Sequence, residues 1–339
     1  MKKYRFAVLM AALFLIAALT LIACDNNAND TETEAPTEAE EITTMEDVKT
    51  DPVTEAPTEA PTEAPTEAPT EAPTEAETEM PYQGELSGMT REEGVPKKYI
   101  TLSFDDGITQ DARMIEILNK YGCPCTFNIN TGLFGANWTW VADATNTPGL
   151  SHLRWTKKEI QTGIYDGFDI EVHTLSHGSL KTMSDAQVKR EVGTDAKNIA
   201  ALFGYKPVGM AYPGGDSEVN EHNIKTIVEN TDIRFGRGIT STYKFTLPEY
   251  FMWWQPTCSF SDGQLLSLTQ KFINAECTED MLLYVWGHSY ELDVYNSWNK
   301  LETFVKMISE AAAADEQIVL VTNAEFYQLF KDQIPAWKE

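Results

Sequence analysis

From Lys97 onward, short runs of apolar and β-branched residues alternate with longer stretches whose apolar positions recur at helical spacing. The short runs predict strands over residues 99–104, 126–129, 168–172, 207–212, near 233, 281–286 and 318–321. The longer stretches predict helices over 111–121, 156–166, a capped 184–203, 218–230, 264–276 and 301–313, with a short helix after the last strand. Strands and helices in alternation indicate an α/β domain with a mainly parallel sheet. Seven or eight such repeats in roughly 240 residues favour a TIM-like barrel over an open sheet.

The first 96 residues follow another pattern. Lys2, Lys3 and Arg5 precede an almost unbroken apolar run over 6–22, the layout of a secretory signal. The run is short for a membrane span and no basic cluster follows it. It ends in Leu21-Ile22-Ala23-Cys24, which resembles a bacterial lipoprotein signal. That resemblance implies a signal peptide over 1–23, lipidation of the Cys24 thiol, and a domain outside the cytoplasm, lipid-anchored to the bacterial cell membrane. The other readings of this stretch are an uncleaved anchor and an ordinary secretory peptide. Residues 24–96 are expected to be a disordered acidic linker, with five Pro-Thr-Glu-Ala copies over 57–76. In extended form, 56 residues of it reach at most about 170 Å.

Charge sharpens this division. The chain has 339 residues, 26 Lys+Arg against 52 Asp+Glu, and a formal net charge of −26. Residues 25–80 hold 18 of the acids against Lys49 alone, so the remainder is only moderately acidic. An acidic protein has no electrostatic footprint for nucleic acid or anionic lipid. All eight tryptophans lie beyond residue 137, which suits a domain with a full core over 97–337 and excludes a disordered or coiled-coil one there. Cys123 and Cys125 flank Pro124, and no second pair has metal spacing, so a thiolate zinc site is not expected. Cys258 and Cys277 are either bridged or free.

Candidate chemistry falls at the ends of the predicted strands. Asp105 and Asp106 follow the first, His173 and His177 the third, Pro213-Gly214-Gly215 the fourth, and His288 the strand over 281–286. In a parallel barrel those carboxyl ends share one face. His173 and His177 are four apart, so a single helical turn would aim both imidazoles one way. With Asp105 or Asp106 they make two histidines and a carboxylate, a set that leaves positions open on a hydrolytic metal. Either element alone has a plain reading: a structural histidine pair, or aspartates capping the helix that follows.

SFDDG (103–107), HTLSH (173–177), AYPGG (211–215) and VWGH (285–288) resemble the ordered motifs of polysaccharide deacetylases, the NodB-homology group or carbohydrate esterase family four. The resemblance spans roughly residues 97–330. It implies a distorted (β/α) barrel and metal-dependent removal of acetyl groups from sugars. Carried over by position, Asp106, His173 and His177 would bind a divalent metal, zinc first and cobalt or manganese as alternatives. Asp105 would be the general base and His288 the general acid. The backbone N–H of Gly214 would face the oxyanion, and Tyr212, Pro213, Gly214 and Trp286 would border the substrate. The acetylated polysaccharide would be the partner of a monomeric enzyme.

Two positions depart from the family pattern. Ala211 stands where an arginine usually orients the catalytic aspartate. Arg237 is the candidate substitute, its other reading being a surface arginine. Residues 251–260 contain no aspartate to pair with the acidic histidine. Trp138 and Trp140 are expected to contact sugar and Trp286 to shape the acetyl pocket, with Trp253 and Trp254 as further faces. His152 and His222 are expected at the surface. Three functions follow: an N-acetyl hydrolase on peptidoglycan or chitin-like glycans, an O-acetyl esterase on xylan-type glycans, and a non-catalytic carbohydrate-binding lipoprotein.

Overall fold

Eight strands alternate with helices in the computed structural model, which describes residues 90–92 and 94–338. The expected signal peptide over 1–23, the lipidation of Cys24 and the linker repeats lie outside the described residues. No helix among the described residues is long and apolar enough to cross a membrane. The strands are β1 (Lys98–Asp106), β2 (Thr126–Ile129), β3 (Asp169–Val172), β4 (Gly209–Ala211), β5 (Phe235–Arg237), β6 (Cys258–Ser259), β7 (Met281–His288) and β8 (Ile318–Val321). All pairings between them are parallel, in the order β5-β4-β3-β2-β1-β7-β6. β7 runs along the whole of one edge of β1, so β8 and β2 divide the other, β8 along Lys98–Thr101 and β2 from Ser103.

The sheet curls until its outer strands meet one segment of chain. Trp254 bridges Arg237 of β5, and four residues later Cys258 pairs with Val285 of β7. A distorted (β/α) barrel results.

Alternation along the strands gives this barrel two unlike faces. Ile100, Leu102 and Phe104 of β1, with Phe127, Ile129, Ile170, Val172, Leu283 and Val285, pack with apolar residues of the surrounding helices. Those residues include Met114 and Leu118 of Asp111–Tyr121, Val192 and Ile199 of Asp185–Phe203, and Leu301 and Val305 of Trp298–Ala314. Each such side chain contributes about 1.5–3 kcal/mol on burial. The intervening residues are polar and bond to one another: Thr101 to Asn323 (2.8 Å), Asn323 to Tyr284 (2.7 Å), Thr126 to Asp169 (2.8 Å) and Asn128 to Ser103 (2.8 Å). A buried polar group left unpaired costs more than an ordinary hydrogen bond returns, which favours these interior pairs, although Asn128 Oδ1, Asp169 Oδ1 and His173 Nε2 among others stay unpartnered. The upper end of this interior is the candidate site.

Packing also reaches back beyond the expected start at residue 97. Arg91 donates through Nε to Asp280 at 3.1 Å and lies over the Phe330 ring, and Asp280 accepts from the Lys97 N–H as well. Arg91, placed by the sequence in the linker, is part of the domain's packed surface.

Candidate active site

Strand register places Asp105 between Asn128 of β2 and His288 of β7. Asn128 donates to its Oδ1 at 2.9 Å, and the buried Arg237 guanidinium donates to its Oδ2. Arg237 is the register partner of Ala211. The position without arginine and the arginine that reaches Asp105 are therefore neighbours at one level of the barrel. Burial alone would raise the Asp105 carboxyl, but Arg237 first, and then His173 and His288, hold it below the usual range.

Asp106 has a left-handed φ of 84° and is buried, its carboxylate on the same rim. His173 Nε2 lies 3.8 Å and His177 Nε2 3.6 Å from its Oδ1. One helical turn does not bring these imidazoles together, as the spacing predicted. They sit in an irregular loop with left-handed backbone at Thr174 (φ 63°) and His177 (φ 55°), their rings nearly perpendicular with centroids 4.8 Å apart. The loop is pinned from behind. Asp195 accepts the His173 N–H at 3.2 Å, Glu191 accepts the Ser176 N–H at 2.8 Å, and Asn130 donates to the Thr174 carbonyl at 2.9 Å.

Asp106, His173 and His177 offer ligand atoms that all lie within 4.8 Å of one another. His173 Nδ1 lies 2.8 Å from the Ala211 carbonyl, which can only accept, so the proton is on Nδ1. That leaves Nε2 a buried lone pair with no hydrogen-bond partner. Burial, outweighing Asp105 and Asp106, lowers the His173 pKa. Burial first and His173 next lower that of His177 to about 4. Two neutral imidazoles and an ionised carboxylate, one nitrogen orphaned among them, fit a divalent cation.

Across the rim, His288 Nε2 lies 4.0 Å from Asp106 Oδ2, and its Nδ1 lies 3.2 Å from Glu291 Oε1. Burial works against the imidazolium, but Glu291 overrides it and raises the His288 pKa to about 9. The acidic partner absent from 251–260 comes from three residues downstream, in the helix Tyr290–Val294.

Residues 92–236 match the model of the polysaccharide deacetylase family. Over those residues the chain is similar to the polysaccharide deacetylases. The match takes in Asp105, Asp106, His173, His177 and Gly214, and ends just before Arg237. YxkH of Bacillus subtilis (strain 168), assigned by name to the polysaccharide deacetylases, is 26% identical over 152 residues. That alignment covers 44% of this chain and 47% of YxkH, so it spans about half the length of the relative. Among solved structures, similar ones include a family 4 acetyl xylan esterase from Clostridium thermocellum in complex with a cobalt ion. Its TM-score is 0.43 at 16% identity, covering 70% of this chain and 93% of the other. The Xyl-CE4 domain of a multidomain xylanase from the hindgut metagenome of Trinervitermes trinervoides gives 0.42 at 17%, covering 72% and 95%. Peptidoglycan deacetylase PdaC from Bacillus subtilis gives 0.41 at 14%, covering 70% and 93%.

Several residues of the domain stand elsewhere than the sequence suggested. His152, expected at the surface, is buried with Nε2 3.0 Å from Asp106 Oδ2, and the buried Arg154 donates to Oδ1 at 3.0 Å. Both come from a segment with no predicted strand, laid antiparallel by pairing of Asn137 with Leu153 and of Ile108 with Arg154. Tyr212 spends both its donors away from the site, its hydroxyl on the Met252 carbonyl (2.8 Å) and its N–H on the Arg237 carbonyl (3.0 Å). Pro213 is buried, and Gly214 is exposed with φ 68°. A Cβ at Gly214 would meet Glu218 Cγ at 2.5 Å, so the turn itself demands glycine.

Trp286 is half-buried, with the Arg237 guanidinium 4.7 Å from its ring centre and the His288 ring 5.5 Å away. Trp138 packs within the site, stacked on His152 and edge-on to His177, while Trp140 beside it is 58% exposed. Trp254 is core, and the Trp253 indole donates to Asp216. His222 is exposed, 2.7 Å from Asp185. Cys123, Cys125, Cys258 and Cys277 are free thiols.

Proposed function

We propose that the domain hydrolyses acetyl groups from N-acetylglucosamine-containing polysaccharide of the peptidoglycan or chitin type, with a divalent ion held by Asp106, His173 and His177. The observation that carries it is the gathering of that triad, the Asp105–Arg237 pair and the His288–Glu291 pair on one rim of the barrel. When bound, the ion supplies Lewis acidity, polarising an acyl oxygen and making water easier to deprotonate. Asp105, kept ionised by Arg237 and oriented by Asn128, takes the proton from the attacking water. His288, oriented by Glu291, gives a proton to the departing nitrogen. An amide needs that step more than an ester does, and a dedicated carboxylate partner for His288 therefore favours the N-acetyl reading. The Gly214 N–H, which no backbone hydrogen bond among the described residues uses, is the backbone donor for the oxyanion. Trp286 walls the acetyl side.

Acetate and free amine released by the full-length protein from chitooligosaccharide, peptidoglycan and acetylxylan, with and without chelator, test this reading. Acetate with amine from the first two, lost on chelation, is the expected result. Acetate from xylan alone would establish the esterase, and no release from any substrate a binding role. Undiminished hydrolysis by protein shown to be metal-free would overturn the metal assignment.

The pH profile gives a second test. His288 acts as an acid only while protonated, so activity should fall as pH rises through its raised pKa. Glu291→Gln removes the charge that raises it and should move this alkaline limb toward lower pH by about 1–3 units. A limb that stays in place would remove Glu291 from the proposal. The basic start, apolar run and Cys24 support a lipid-anchored, extracytoplasmic location, which labelling of wild type but not Cys24→Ala with a radioactive fatty acid would check.

A further inference from the structure

We propose that His152 is a positioning residue that makes Asp106 a one-oxygen ligand, a reading that rests on the metal assignment above. The two carboxylate oxygens of Asp106 face different partners. Both triad imidazoles approach Oδ1, at 3.8 and 3.6 Å, whereas His152 Nε2 is 3.0 Å from Oδ2. An ionised carboxylate only accepts, so His152 is the Nε2–H tautomer and spends that proton on Oδ2. His152 is not one of the three residues whose ligand atoms cluster within 4.8 Å. Its contact is with the ligand, on the oxygen that the two triad imidazoles do not approach and that His288 Nε2 lies 4.0 Å from.

Packing fixes the imidazole in that role. Its ring lies parallel to Trp138, at 10° with centroids 5.5 Å apart, and against Tyr290 at 5.0 Å. The Arg154 guanidinium sits 3.8 Å from the centre of the same Trp138 ring while donating to Asp106 Oδ1. Backbone hydrogen bonds hold this arrangement as well. The His152 carbonyl accepts from Trp138 N–H (3.2 Å), the Leu153 carbonyl from Thr109 N–H (2.8 Å), and the Gly107 carbonyl from Trp155 N–H (3.1 Å). His152 and Arg154 are two apart in this extended stretch, so both face Asp106 while Leu153 between them is 37% exposed. A carboxylate whose second oxygen is bonded and whose backbone is held in a left-handed turn cannot swing to chelate through both oxygens. The ion meets a ligand with one free direction.

Cobalt binding to the full-length protein tests this apart from turnover. His152→Ala should weaken Co²⁺ affinity about 10- to 100-fold, measured by competition with a chelating dye. It should also change the cobalt d–d absorption band, because Oδ2 is then free to enter the coordination shell. His152→Gln, whose side-chain N–H can still reach Oδ2, should recover most of the affinity and the wild-type band. Wild-type affinity and spectrum in His152→Ala would overturn the proposal. Should that variant fail to fold by circular dichroism, His152→Gln decides: the wild-type band supports the role, and folded protein with a tenfold or larger loss, about the minimum for a lost ligand partner, overturns it. Failure of wild type itself to bind Co²⁺ would instead bring down the triad assignment on which this one stands.

Discussion

Asp105→Asn should retain the metal and lose turnover by about 10²- to 10⁴-fold, the span that a positioned general base supplies. The two aspartates stand side by side in the sequence, yet their surroundings differ in the way the two proposed tasks require. Asp105 is bonded by Arg237 and Asn128 and lies at the level of His288, while Asp106 faces the paired imidazoles. Asparagine keeps the size and one acceptor oxygen of Asp105 but cannot take a proton from water. His173→Ala is the contrasting variant, since it removes the orphaned Nε2 and should lose the ion and the activity together. Elemental analysis of each purified variant, alongside its kcat on chitooligosaccharide, separates the two outcomes. A near-normal rate for Asp105→Asn would place the base elsewhere, and full metal content in His173→Ala would remove that ligand.

How far the sequence foretold this site depends on what each residue's neighbours reveal. The helix Asp111–Tyr121 was legible because its apolar positions repeat at helical spacing and a left-handed Gly122 caps it. Ser184 and Gln187 announce the helix Asp185–Phe203 with a capping box. Over 156–166 the same reasoning overreached: Thr156 and Glu159 form a capping box, but the helix Lys157–Ile160 is a single turn that soon meets Gly163 at φ 89°. β6 has two residues, too short for any periodicity to show. Asp106, His173 and His177 could be grouped from the sequence because strand ends on a barrel converge, and their ligand atoms do lie within 4.8 Å of one another. His152 was missed because its segment carries no strand signal and derives its shape from pairing with 108 and 137. A period of two was nevertheless present in His152-Leu153-Arg154, as it was in the polar positions of 101–105 and 126–130, which prove to line the barrel interior. Glu291 lies beyond the motif that contains His288, and only the turn into the helix Tyr290–Val294 brings it back. Arg237 carried a signal of its own: a guanidinium in a buried strand is costly unless a carboxylate meets it.

That cost sets the size of the remaining effect. Arg237→Leu should destabilise the domain by about 3–5 kcal/mol at neutral pH, because it leaves Asp105 buried and ionised without its partner. For a domain of this size the melting temperature should fall by roughly 6–20 °C. The pH dependence identifies the cause. In wild type the folded-state pKa of Asp105 is depressed, so its contribution is present above the unfolded value and is lost as pH falls through the folded one. Without Arg237, burial is opposed only by the weaker pull of His173 and His288, so the carboxyl rises and can take up a proton on acidification. The gap between wild type and variant should therefore narrow as pH is lowered, and the acid limb of activity should move to higher pH in the variant. Arg237→Lys should restore part of the stability, since it returns the charge without the planar fork. Urea denaturation of the three proteins at neutral and at mildly acidic pH measures this. A small penalty for Arg237→Leu, equal at both pH values, would show that Asp105 is not held ionised by this arginine, and its charge would then have to be owed to the other groups that face it, His173 and His288 among them.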